Sequence, residues 1–407
     1  MLLRMINRQA LQGDSLNMKK KTRLRRLFAA SILAASGLSP AQAQLQLPPL
    51  LLAATGQVSG VVLTPALMAT IGASPTLWNG LINVATPYMA PYSEELRQLA
   101  IKKAPRVKPV AAAPTPAAQV FANSYSQIFS FGDSMSDTGN LYAQMRANGG
   151  GGLPTSPNYA GRFSNGPVVL EAMANALNVP LVNYAFAGAR SGTGNLVPVY
   201  GMQKGMLNQI QDLLDNQPTS VSKLDANALY VLWTGPDDYY SDGNVFNPAI
   251  TASIISDIQQ GMIRLYQRGA RHFFVPQMPD LSITPSAHNH NNGLGNYLVN
   301  AKARSAEMAT ALNAMLQNFA RSYPQSTVRT FETYTYSQTR LTQAAAEGFN
   351  VTEACYNPKF LGIPGPVCDK PDLHLFWDGN HPTKAGSIVI GTDFAKALVG
   401  NAPFPSR

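Results

Sequence analysis

The sequence predicts an α/β fold, a three-layer α/β/α sandwich built on a mostly parallel five-stranded sheet. Two observations carry that reading. Five short runs rich in β-branched and aromatic residues alternate with amphipathic helical patterns, the order expected of βαβ units. Several of the runs are apolar on both faces, as strands covered by two helical layers must be.

In chain order the strand-like runs are SQIFSFGDS (126–134), VPLVNYA (179–185), ALYVLWTG (228–235), RHFFVPQ (271–277) and STVRTFE (326–332). Helical patterns fall between them at 168–177, 205–214, 250–268 and 296–320. A last helix is expected after Pro382, because proline is tolerated in a first turn. The folded domain is therefore placed at 124–403. In such sheets ligands sit beyond the carboxyl ends of the strands, so chemically active residues are expected there.

Ahead of this domain the chain has two further parts. Residues 1–43 carry eight Lys or Arg against Asp14 alone, so they hold +7 of the net charge of +9. The remainder is nearly neutral, and a nucleic-acid partner is not expected. From Met18, the expected working start, a basic stretch leads into a short apolar run, Leu27–Leu38, and then AQA at 41–43. That order reads as a signal peptide cleaved near Ala43, with the run too short for a stable membrane anchor. Arg25-Arg26 loosely resembles a twin-arginine signal. Residues 44–123 are an apolar extension followed by a Pro/Ala-rich linker. No later apolar run is long enough to span a membrane. Cys355 and Cys368, the only cysteines, are expected to pair in an exported chain. Closing that loop would stabilise the fold by roughly 3 kcal/mol.

Two Gly-Asp-Ser sequences compete as a nucleophile site. Asp14-Ser15 lies upstream of the leader and is read as a decoy. FGDSMSDTGN (131–140) ends the first strand, which exposes the Ser134 hydroxyl at the sheet edge, although Ser and Asp are also common helix caps. In LFWDGNHPTKAG (375–386), Asp378 and His381 stand three apart at an expected helix start. There the imidazole can donate one N–H to the carboxylate while its other nitrogen faces a serine. Other candidates rank lower. His288 and His290 fall in a polar stretch expected to be a mobile loop with solvated imidazoles, His272 opens a strand, and His374 has no assigned role. Trp233, Tyr239 and Tyr240 are either an acyl-pocket lining or aromatic core. Asp137 and Asn140 are expected to shape the nucleophile loop.

Over residues 126–398 these blocks, in this order, resemble the GDSL (SGNH) family of lipases and esterases. FGDSMSDTGN resembles the nucleophile block, with methionine for leucine. GRFSNGPVVLEAMANAL with NYAFAGA resembles the block whose glycine amide, at Gly188, faces the oxyanion. LYQRGARHFFVPQMPDLSITPSA resembles the segment after the third block, and FWDGNHPTKAG the last block. The resemblance implies an SGNH-hydrolase, flavodoxin-like version of the sandwich, with Ser134 as nucleophile, His381 as base, Asp378 as its orienter and no cofactor or metal. One block departs: WTGPDDYY places Asp237 where the family has an asparagine that donates to the oxyanion. An ionised aspartate cannot donate, and loss of one such donor costs about 10²–10³ in rate. Asp237 could be held protonated and donate an O–H, or the hole could use the Ser134 and Gly188 amides alone, which is the preferred reading. A weak hydrolase or binding protein is the third.

The expected function is thus an exported serine ester hydrolase acting on small-molecule or lipid esters, with transient contact with a lipid surface allowed by that substrate class. Acyl transfer or phospholipase action would use the same triad, and a catalytically decayed secreted binding protein is the alternative of another class. The short tail after the last helix is expected to leave no C-terminal β-barrel, giving a soluble form, periplasmic or secreted.

Overall fold

The computed structural model describes residues 120–404, apart from 148–151, 197–203, 218–222, 241–243 and 359–363, together with the short antiparallel pair Leu45–Gln46 and Val62–Leu63. That pair belongs to a separate unit (1–102, 199–201 and 359–361). The leader, Ser15 and nearly all of the extension lie outside the described residues.

Five strands form one sheet: β1 (Ile128–Gly132), β2 (Leu181–Asn183), β3 (Leu229–Trp233), β4 (His272–Phe274) and β5 (Thr327–Arg329). Their order is β2-β1-β3-β4-β5 and every neighbouring pair is parallel. Each strand lies inside the run expected for it, shortened at both ends. Side chains alternate across a strand, and both faces are apolar. Phe129, Phe131, Tyr230, Leu232, Phe273 and Val328 pack into one core. Ile128, Leu181, Leu229, Val231, Trp233 and Phe274 pack into the other.

The first core is closed by α3 (Met206–Asn216), α5 (Ala249–Gln267) and α7 (Tyr297–Ser322), through residues such as Ile210, Ile258 and Leu312. The second is closed by α2 (Val169–Leu177) and α9 (Lys384–Gly400), through Met173, Leu177, Phe394 and Leu398. The result is the expected three-layer sandwich. α9 lies directly on α2 at Gly391, where an added Cβ would meet the Ala172 Cβ at 2.7 Å and the Met173 nitrogen at 2.8 Å.

The remaining helices are α1 (Asn140–Ala147), α4 (Pro236–Tyr240), α6 (Pro285–Leu294) and α8 (Thr333–Ala346). α6 corrects the expectation of a mobile loop at His288 and His290. Thr284 caps it by accepting the Ala287 N–H at 3.1 Å, and Pro285 supplies a pre-set φ for its first turn. Helical spacing turns His288 and His290, two apart, to different sides, and His290 Nδ1 is satisfied by the Ser286 carbonyl at 2.7 Å. His272 does open β4. Among the described residues no helix is long and apolar enough to cross a membrane.

A small parallel ladder, β6 (Asn350–Ala354) with β7 (His374–Phe376), stands apart from the sheet and leads into the 378–381 segment. Cys355 and Cys368 are joined in a disulfide beside it.

The α2–α9 contact gives a direct test of the packing. Gly391→Val should destabilise the fold by about 1–3 kcal/mol, the usual cost of overpacking, seen as a lower Tm in thermal unfolding. An unchanged Tm would mean that the helices are not this close.

Candidate active site

The site lies at the topological switch point, where β1 has β2 on one side and β3 on the other. β1 ends at Gly132, and Ser134 follows within a turn in which the Asp133 carbonyl accepts the N–H of Ser136 at 3.1 Å and of Asp137 at 3.0 Å. The Asp137 carboxylate then fixes what comes next. It accepts the N–H of Gly139 (2.7 Å), Asn140 (2.6 Å) and Leu141 (3.1 Å), which begins α1, and of Ala187 (2.9 Å) across the loop after β2. Asn140 Nδ2 donates to the carbonyls of Asn183 (2.9 Å) and Ala185 (2.8 Å). Both residues therefore shape the loop, as the sequence led us to expect.

Ala187 precedes Gly188, whose φ of +78° is a left-handed conformation that glycine adopts without strain. A Cβ there would also meet Asn195 Oδ1 at 2.6 Å. Among the described residues neither the Ser134 nor the Gly188 N–H has an acceptor, so both remain available to a substrate oxygen.

His381 comes from the other end of the chain. Its Nε2 is 2.7 Å from Ser134 Oγ and its Nδ1 is 2.8 Å from each Asp378 oxygen. Asp378 also accepts the N–H of Asn380 and His381, both at 2.9 Å. This tight turn, rather than the helix start expected from sequence, is what makes the three-residue spacing work. α9 begins only at Lys384, with Thr383 as its cap. The loop is held from two sides. The disulfide-bonded Cys355 donates to the Phe376 carbonyl (3.1 Å), Tyr356 donates to that of Trp377 (2.6 Å), and Trp377 donates to that of His381 (2.8 Å). From the segment before α2, Ser164 Oγ donates to the Pro382 carbonyl at 3.1 Å and Asn165 Oδ1 accepts the Lys384 N–H at 2.6 Å. Phe163 lies against the imidazole, ring centroids 5.1 Å apart. Sequence reasoning assigned no task to 163–165. The available signal was Arg162, which pairs with Glu171 at 2.8 Å in the first turn of α2 and fixes this segment.

Burial alone would push the His381 pKa down, but the Asp378 carboxylate, its hydrogen bond and Asp133 outweigh it, so the net shift is upward. Burial likewise works against Asp378 ionisation, yet His381 and two backbone N–H donors hold its pKa below the ordinary value. The pair thus favours an imidazolium next to a carboxylate, the state formed when Ser134 gives up its proton.

Asp237 lies in α4, directly after β3, and is buried with Oδ2 lacking a hydrogen-bond partner. Trp233 and Tyr239 turn out to be core: Trp233 Nε1 donates to the Gln277 carbonyl at 3.0 Å, and the Tyr239 hydroxyl meets Thr251 Oγ1 at 2.7 Å. Tyr240 is half-buried and faces Asp237 and Asp133. Among the described residues the cluster with metal-ligand spacing is Cys355, Cys368 and His374, and its two sulfurs are already bonded to each other.

Residues 128–394 match the GDSL-like Lipase/Acylhydrolase family. The chain belongs to this family. It is 32% identical to a phosphatidylcholine-sterol acyltransferase of Aeromonas hydrophila, over 59% of this chain and 68% of that one. It is 28% identical to a GDSL esterase/lipase of Arabidopsis thaliana (65% and 85% covered) and 26% identical to acetylajmalan esterase 2 of Rauvolfia serpentina (64% and 87% covered). The protein is accordingly a carboxylic ester hydrolase.

The His381 environment sets the pH response. With neutral His381 imidazole as the expected base, kcat/KM for ester cleavage should rise with pH through a midpoint above the ordinary 6.5 of histidine. Asp378→Asn should lower kcat by about 10⁴ and, with burial then unopposed by that carboxylate, move the midpoint down. A midpoint that stays put would contradict the coupling.

Proposed function

We propose that this protein is an exported serine hydrolase that cleaves acyl esters through an acyl-enzyme on Ser134. The observation that carries the reading is the continuous hydrogen-bonded path from Ser134 Oγ through His381 to the Asp378 carboxylate. Ser134 Oγ bonds to the ester carbonyl carbon while its proton passes to His381 Nε2. The carbonyl oxygen becomes an oxyanion facing the Ser134 and Gly188 N–H groups, where developing charge is stabilised. Collapse breaks the bond to the alcohol oxygen, which leaves with the His381 proton. Water, deprotonated by the same imidazole, then attacks the acyl-enzyme and regenerates Ser134.

Acyl and lipid esters, phospholipids included, are the substrate class favoured by the family, and such substrates would bring the protein into transient contact with lipid surfaces. Acyl transfer is the second reading, favoured by the Aeromonas hydrophila relative named as an acyltransferase. It needs the same residues, with an alcohol in place of water in the second step. Export is supported by the basic, apolar and AQA order of 18–43 and by the Cys355–Cys368 disulfide. It implies a periplasmic or secreted protein.

A chain-length series of p-nitrophenyl esters, given to the 44–407 protein and its Ser134→Ala variant, tests the reading. Wild type should turn over and Ser134→Ala should fall to a residue-independent background, with the length optimum defining the acyl preference. Equal rates for the two proteins would refute Ser134 as the nucleophile. Product analysis with an added alcohol distinguishes transfer, seen as a new ester, from hydrolysis alone.

A further inference from the structure

Asp133 stands in the nucleophile turn, Asp237 and Asp238 in α4 and Asp257 in α5, and their surroundings differ in one respect. Asp133 Oδ1 accepts the Met135 N–H at 3.0 Å, and its charge faces the His381 imidazole. Asp238 accepts the Ser191 N–H at 2.9 Å and Oγ–H at 3.1 Å, with Arg190 nearby. Asp257 is half-buried and lies 2.9 Å from the same Ser191 Oγ, whose single proton the two carboxylates share. Asp237 is 5% exposed and its Oδ2 receives no donor among the described residues.

Charges of one sign cannot all be held in a buried cluster, and a shared proton settles on the group least supported as an anion. Asp237 is that group. Burial raises its pKa well above the carboxylate range, Asp133 and Asp238 raise it further, and Arg190, which also faces Asp238, only partly opposes them. A neutral carboxyl carries one O–H donor.

Its place in the fold gives that donor a use. Gly132 of β1 pairs with Trp233 of β3 in parallel register, so Ser134, two residues past Gly132, and Asp237, four past Trp233, leave adjacent strands at the same carboxyl edge. We propose that Asp237 is a catalytic residue that completes the oxyanion hole as a neutral carboxylic acid, its O–H donating beside the Ser134 and Gly188 N–H groups. The proposal rests on the ester-hydrolase reading. The Asp237 proton stays on its oxygen throughout, and the proton that moves is the one exchanged between Ser134, His381 and the leaving alcohol.

A carboxylic acid in this position sets an upper pH limit that an asparagine would not. The active form is protonated, so activity is present below the Asp237 pKa and lost as pH rises through it, on the opposite side from the His381 limb. Tyr240, which also faces Asp237, is held protonated by burial and stays neutral over this range. Asp133, raised to about 7 by burial, ionises earlier and drives the Asp237 pKa higher still.

The experiment combines infrared difference spectroscopy with pH–rate profiles for wild type, the isosteric Asp237→Asn and Asp237→Ala. Wild type minus Asp237→Asn should show a protonated carboxyl C=O band at neutral pH that disappears in alkali at the midpoint where wild-type kcat falls. Asp237→Asn should lose the alkaline fall that wild type shows, because an amide does not ionise over this range. Asp237→Ala should lose about 10²–10³ in kcat with KM little changed. Absence of the band at neutral pH, wild-type kcat in Asp237→Ala, or an alkaline fall retained in Asp237→Asn would each overturn the proposal. The infrared measurement needs no substrate, so failure of the ester-hydrolase reading, seen as no wild-type turnover, is distinct from failure of this one.

Discussion

Four backbone N–H groups converge on one buried carboxylate, that of Asp137, and the geometry of the site depends on it. Three of the donors come from the start of α1 and the fourth from Ala187, next to Gly188. The loops after β1 and β2 are thereby a single piece, reinforced where Asn140 bonds the carbonyls of Asn183 and Ala185. Without the carboxylate, each buried N–H left unpaired would cost about 1–3 kcal/mol. Ser134 and Gly188, the two ends of that piece, owe their relative position to it.

His381 reaches this platform from the far end of the sequence. The 378–381 turn has little structure of its own beyond the Asp378 carboxylate accepting two N–H groups. It is aimed by neighbours: the disulfide-bonded segment around Cys355 on one side, and Ser164 and Asn165 on the other. Arg162 and Glu171 anchor the second support to α2, which also packs on α9. The sandwich thus serves the site through its helices as well as its sheet. α2 and α9 cover one face and bracket the histidine loop between them.

Much of this was legible in the sequence because its physical causes are local. The five strands announce themselves as runs apolar on both faces, and the long helices as periodic patterns. Ser134 stood out at a strand end and Asp378 and His381 by their three-residue spacing, while Gly188 was implied only by the family resemblance. α6 was misread because its polar side chains outweighed a capping signal, Thr284-Pro285, that was present. β6 and β7 were missed because the ladder is short and half-exposed and has no both-faces-apolar run. The work of Phe163, Ser164 and Asn165 depends on contacts more than two hundred residues away in sequence, which no local pattern reports. Asp237 is the sharpest case. Sequence alone leaves it either a protonated donor or a lost one, and the preferred expectation was a hole of two amides. Burial beside the Asp133 and Asp238 carboxylates, only partly offset by the Arg190 guanidinium, supports the proposal of a retained donor of another kind.

The account rests on one reactive hydroxyl at the switch point, activated from a distant loop. Labelling the purified protein with a fluorophosphonate and locating the adduct by peptide mass spectrometry tests that most directly. The account predicts one adduct, on Ser134, formed by wild type and nearly abolished in His381→Ala. An adduct on another serine, or labelling of Ser134 that is indifferent to His381, would contradict it.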